Sequence, residues 1–228
     1  MYLHLPTQRL PQVYRSQLFQ PKPENHTTTV PRRNDCSSRS LRTIPRLFPE
    51  ETTLIDLSGN LLTALEVSLT RRAPMLQNLS LANNFLASLD FTLLPKGLSR
   101  SLRTVPRLFP EETTVIDLSG NLLTALEVPL TRRAPMLQNL SLANNFLASL
   151  DFTLLPKGLR YLSLENNSFQ HFPIDVAYNL NLSGIWLSGN PWACECQDYG
   201  FRQWAEGHEN TIMDANTVRC SDGSSRLV

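Results

Sequence analysis

Four cysteines and four histidines are the side chains in this 228-residue chain best suited to redox, nucleophilic or metal chemistry. Cys194 and Cys196 form a CxC pair, and 23 residues separate Cys196 from Cys220. With His208 these thiols could offer zinc four donors, but structural zinc sites usually bring two close pairs, and one close pair with a single distant cysteine suits a disulfide cap better. The other histidines, His4, His26 and His171, come with no GxSxG elbow, phosphate loop or Cys-His pairing motif. The expectation is a non-enzymatic chain with no catalytic, cofactor-binding or metal-ligating residues. A modification chemistry is better represented, with N-glycosylation sequons at Asn25, Asn78, Asn139, Asn166 and Asn181.

Charge narrows the partners. The chain carries 21 basic and 20 acidic side chains, scattered rather than clustered, so no nucleic-acid interface is expected. The pairs Arg71-Arg72 and Arg132-Arg133 read as a solvated outer face. No apolar run reaches the roughly eighteen residues that a membrane span needs. The first residues, MYLHLPTQRLPQVYRSQLF, lack the continuous apolar core of a secretory signal. Sequons and terminal cysteines nevertheless point outside the cell, which suggests a fragment or gene model whose true beginning is missing.

These residues need elements to hold them, and the clearest is residues 76–84, LQNLSLANN, which fits LxxLxLxxN. In an extended segment Leu79 and Leu81 point one way and Asn78, Ser80 and Ala82 the other, so one face is core and the other is free. Asn84 falls where the chain turns away, and a buried amide there can satisfy backbone groups that no regular structure satisfies. Matching asparagines at Asn60, Asn84, Asn121, Asn145, Asn167 and Asn190 are spaced by 24, 37, 24, 22 and 23 residues. A period of that size is the signature of leucine-rich repeats.

The long interval has a cause. Residues 38–98 recur as 99–159 with three differences among 61 pairs, Ile44/Val105, Leu54/Val115 and Ser68/Pro129. Removing one copy would restore a spacing of 22 between Asn84 and Asn167. The duplication carries cap-like sequence into the array and puts Ser101 and Arg103 where inward leucines are due, so a bulged or irregular join is expected over residues 98–112. Stability in such an array is a sum of neighbour interfaces, which makes the join its weak point.

Three regions follow: a Pro-rich, poorly ordered tail (1–34), a repeat array with a partial N-terminal cap (35–190), and a truncated C-terminal cap (191–228). Residues 197–206 read as a short amphipathic helix presenting Tyr199, Phe201 and Trp204, with Trp192 lying over the last apolar layer.

The half-cap at Cys36, the short array, SGNPWACEC and VRCSDG together resemble the membrane-proximal region of invertebrate Toll receptors, over residues 35–227. The resemblance implies an α/β solenoid, a right-handed horseshoe of leucine-rich repeats with a short parallel β-sheet on the concave face. It implies a Cys194–Cys220 disulfide, leaving Cys196 without its usual partner. Cys36 is no substitute, because about six strands at ~4.8 Å separate the ends by roughly 25–30 Å and a disulfide needs Cα atoms within about 7 Å. It further implies a type I receptor in innate immunity or development, at the extracellular face of the plasma membrane, that takes a cytokine-like protein ligand or a receptor subunit, with a homodimer as one form of partner. The membrane would be reached only through a transmembrane segment outside this chain. A secreted, soluble decoy or matrix protein is the alternative, and an intracellular scaffold the third reading, which the cysteine cap opposes.

Outward strand positions are the candidates for contact: Asp56, Asp117, Tyr161, Glu165 and Trp186, an acidic face with two aromatics near its C-terminal end. The plainer reading makes them solvated positions, with Trp186 packed under the cap. Sugars on Asn78 and Asn139 would block part of this face and move binding to a flank or to the aromatic end.

Overall fold

Seven strands follow one another in chain order across a single parallel sheet: β1 (Arg32–Asp35), β2 (Thr52–Asp56), β3 (Asn78–Ser80), β4 (Val115–Asp117), β5 (Asn139–Ser141), β6 (Tyr161–Ser163) and β7 (Gly184–Trp186). The computed structural model describes residues 32–65, 69–89, 109–127, 129–172, 174, 180–194 and 199–221. All seven strands belong to the unit Pro31–Val228, and the other unit, Met1–Val30, lies outside the described residues. Each strand pairs only with its predecessor and successor, so the chain advances by one coil per repeat, as the leucine pattern demands.

The alternation of the sequence explains why the strands are so short. Ile55, Leu79, Ile116, Leu140, Leu162 and Ile185 are in register from strand to strand and at most 1% exposed. Two residues later Leu57, Leu81, Leu118, Leu142, Leu164 and Leu187 add a second buried row. Burying a leucine or isoleucine contributes about 1.5–3 kcal/mol, and one coil alone cannot shield both of its rows.

The asparagine ladder then turns the chain. Asn84 accepts from Leu62 N at 3.1 Å and donates to the carbonyls of Leu57 in the preceding coil and Leu81 in its own, at 3.0 and 2.9 Å. Asn145, Asn167 and Asn190 repeat this pattern of one coil tied to its predecessor. At the first turn Asn60 accepts from Arg39 N and Leu41 N and donates to Cys36 O, which holds the N-terminal segment. The residue before each ladder asparagine has a positive φ and is Gly59, Asn83, Gly120, Asn144, Asn166 or Gly189. Where asparagine precedes glycine on the next coil the fit is close: a Cβ on Gly189 would collide with Asn166 Oδ1, and one on Gly120 with Asn83 Oδ1.

The structure revises several expectations. The tail was expected to run to Asn34, yet Arg32, Arg33 and Asn34 belong to β1, paired with β2. Ser101 and Arg103 lie outside the described residues, as does most of the expected irregular join. Around it the sheet is unbroken, with Asn78, Leu79 and Ser80 opposite Val115, Ile116 and Asp117. Asn121 bridges the join as an ordinary ladder residue, accepting from Leu86 N and donating to Leu81 O, both at 3.0 Å. The first arginine pair is not wholly solvated: Arg72 is half-buried and donates to Ile44 O and Pro45 O at 3.2 and 2.9 Å. In the second pair, α1 (Leu130–Arg133) ends at Arg133, whose guanidinium is held below its usual pKa by burial.

The C-terminal end is closed. Helix α2 (Tyr199–Gly207) turns Phe201, Trp204 and Ala205 inward. Tyr199 does not share that face and is 67% exposed, because 201, 204 and 205 fill the helical period. Trp192 is fully buried, donates Nε1–H to Leu187 O at 2.8 Å, and stacks on Phe169 with ring centroids 6.0 Å apart. Cys194 and Cys220 are joined by a disulfide across 5.6 Å between their Cα atoms.

Candidate partner-binding face

Register converts the sequence pattern into straight outward rows. One row reads Asp35, Asp56, Ser80, Asp117, Ser141, Ser163, Trp186, and its neighbour reads Arg33, Leu54, Asn78, Val115, Asn139, Tyr161, Gly184. The aspartates of the first row are largely occupied by their own backbone. Asp35 Oδ1 accepts from Ser37 N and Ser37 Oγ, Asp56 Oδ1 from Ser58 N, and Asp117 Oδ1 from Ser119 N. This D-x-S turn holds Asp35 below the usual carboxylate range, through the Ser37 hydrogen bonds first. Asp117 is only 4% exposed, so the acidic character of the face rests on Asp35, Asp56 and Glu165.

The expected aromatic end is brought together but not presented. Tyr161 and Trp186 lie on adjacent strands with centroids 6.4 Å apart, yet Trp186 is 6% exposed, against the reading that places it outward for contact. Gly184 makes this packing possible: a Cβ there would come within 2.9 Å of Tyr161 Cδ1 and 3.1 Å of Met213 Cγ. The surface at this end is therefore made by half-buried Tyr161, half-buried Glu165 and Met213, which is 45% exposed.

Beside them sits a pair of acids. Glu165 accepts from Ser163 Oγ at 3.1 Å and Ser188 Oγ at 3.4 Å, while its burial and the neighbouring Asp214 carboxylate push its own pKa up. Asp214 is a structural terminator. In every earlier coil the N–H after the strand donates to a carbonyl of the next coil: Leu57 to Ser80, Leu81 to Asp117, Leu118 to Ser141, Leu142 to Ser163 and Leu164 to Trp186. Beyond β7 the ladder continues, among the described residues, only as a parallel bridge between Ile185 and Ile212, and Leu187 donates to the Asp214 carboxylate instead of a carbonyl, as does Ser188 N at 2.7 Å.

The sequons divide by place. Asn78 and Asn139 are half-buried on the sheet face, one coil to either side of Val115. Asn166 is exposed but donates Nδ2–H to Asn144 Oδ1 at 3.1 Å, and Asn181 is exposed on the approach to β7. Asn25 and Cys196 lie outside the described residues. Cys36 carries a free, half-buried thiol whose pKa burial pushes up. With both Cys194 and Cys220 consumed by the disulfide, the four-donor zinc arrangement with His208 is closed.

Sequence reasoning missed one surface. Phe85, Leu122 and Phe146, each directly after a ladder asparagine on successive coils, are 48%, 42% and 49% exposed. They form an apolar ridge on the flank, beside exposed small residues such as Ser88, Thr124 and Ser149. The signal was available: an inward asparagine forces its successor outward, and that successor is apolar in each of these coils.

No protein-family model matches the chain. It is similar to Leucine-rich repeat-containing protein 3 of Danio rerio, 35% identical over 43% of this chain and 38% of the relative. It is also similar to Protein toll of Drosophila melanogaster (31% identical, 46% of this chain, 10% of the relative) and to Nephrocan of Mus musculus (29% identical, 71% of this chain, 25% of the relative). The chain thus spans well under half the length of each of these relatives.

Proposed function

We propose, starting from a chain that is a leucine-rich repeat protein with a disulfide-closed C-terminal cap, that it serves as the extracellular protein-recognition or spacer module of a Toll-like cell-surface receptor, without enzymatic activity. The observation that carries this reading is the in-register array. Seven strands align their outward positions in straight rows, of which Arg33, Asp35, Asp56, Asn78, Asn139 and Tyr161 are accessible, flanked by an exposed apolar ridge, an arrangement suited to laying a protein surface along several coils at once. The disulfide supports an oxidising compartment, and the similarity to Protein toll supports the receptor class. In this reading Tyr161 and Glu165 border the contact and Trp186 braces it from beneath. Sugars at Asn78, Asn139, Asn166 and Asn181 belong to the same proposal, those on the sheet face directing a partner to the flank.

The test is binding of the purified chain, secreted from insect cells behind an added leader, to an immobilised panel of cytokine-like secreted proteins. A retained panel member should be lost with the double variant Phe85→Ser, Phe146→Ser, and peptide mapping should find Cys194 bridged to Cys220. A chain that is not secreted in folded form, or that binds no member of the panel, overturns the reading.

A further inference from the structure

The two ends of the sheet are finished differently. At the C-terminal end Asp214, the disulfide and the Trp192–Phe201–Trp204 cluster cover backbone and core. At the N-terminal end β1 has a neighbour on one side only among the described residues. The apolar layer behind it is partly open, since Cys36, Leu41 and Phe48 are only half-buried against the core and Leu47 is 89% exposed.

The chemistry of that edge is self-complementary. Asn34 faces the interior, donating Nδ2–H to the buried Thr52 Oγ1 at 2.7 Å, so Arg33 and Asp35 share the outward face. Cys36 donates its N–H to Asp56 O at 2.8 Å. Because backbone groups alternate sides along a strand, Arg33 and Asp35 turn their N–H and C=O groups to the open side. An antiparallel second copy centred on Asn34 places Arg33 opposite Asp35 of that copy, and Asp35 opposite its Arg33. Both pairs exchange backbone hydrogen bonds, and both join opposite charges on the solvent face. Arg33 is held within its own chain by a long ion pair to Asp56 Oδ2, at 3.8 Å, and its side chain is 60% exposed, so it can be shared with a second carboxylate. Shifting the register by two residues in either direction loses these charge pairs, so the edge selects one alignment.

We propose that the N-terminal end of the solenoid is a docking surface for a second copy of this chain, joined edge to edge through Arg33 and Asp35 with the half-open apolar layers meeting behind the strands. The strand pair alone is too small for a stable interface, which needs about 1,200 Å² of total burial, and the Leu41, Leu47 and Phe48 layer supplies further contact. Cys36 does not make the joint: in this alignment the two thiols are four residues apart along the paired strands, roughly 13 Å at ~3.4 Å per residue. The proposal deepens the protein-recognition reading by naming one partner.

Sedimentation velocity of the full chain over a concentration series, in non-reducing buffer with the Cys194–Cys220 bridge intact, tests it. The wild type should show a reversible dimer. R33D should weaken self-association by about tenfold or more, because two opposite-charge cross-strand pairs become two like-charge pairs. D35R should do the same, and the double variant R33D/D35R, which restores both pairs in reverse, should recover the dimer, with far-UV circular dichroism unchanged throughout. A wild type that stays monomeric, a dimer indifferent to the single reversals, or a dimer lost with Cys36→Ser each overturns the proposal. None of these results touches capture of a foreign protein at the flank, so the two readings fail separately.

Discussion

Asn121 shows how much one side chain can carry. Its amide accepts from Leu86 N and donates to Leu81 O and Leu118 O, and it is 3% exposed. Asn121→Ala strands a buried N–H and several carbonyls, and an unsatisfied buried group costs about 1–3 kcal/mol. Urea unfolding should therefore register a loss of about 3 kcal/mol, whereas Ser149→Ala, at an exposed position outside the ladder, should change stability by well under 1 kcal/mol. Glu165 makes a different prediction. Its folded pKa is raised, so the fold binds a proton more tightly than the unfolded chain does, and this contribution is fully present below the unfolded value of about 4.3 and lost as pH rises through the folded value. Glu165→Gln should raise the urea midpoint at pH 7, and the gap from wild type should close near pH 4. A gap that is constant with pH would contradict the assignment.

The elements were legible in the sequence to the extent that they obey a period. Leu79, Leu81, Leu140 and Leu142 declare their strands through alternation, and the ladder asparagines declare the turns through spacing. What escaped the reading depends on neighbours that a period does not encode. Asp214 matters because the array stops beside it, leaving Leu187 with an N–H that earlier coils satisfy from the next turn. Arg72 leaves a nominally solvated face to hold two carbonyls of the N-terminal segment, whereas the burial of Trp186 agrees with the plainer of its two sequence readings. The cap can be probed by Cys194→Ser, which opens a bridge spanning 26 residues; the lost chain restraint is worth about 3 kcal/mol and should appear as a lower thermal midpoint under oxidising conditions.

At the scale of the whole molecule the described residues on either side of the repeated join keep one plan. β4 follows β3 in register, and Asn121 reaches back across the join as Asn145 reaches back to Leu118. Deleting residues 99–159 should leave a chain of 167 residues in which β6 docks on β3, with the Cys194–Cys220 bridge intact and a cooperative, less stable unfolding transition. Non-cooperative melting of that shortened chain would show that the second copy is indispensable. Asp214 adds a directional rule to this modularity. A carboxylate that stands in for the next coil's carbonyl at Leu187 has to be displaced before a further repeat can stack on β7, whereas a repeat inserted upstream meets no such competitor.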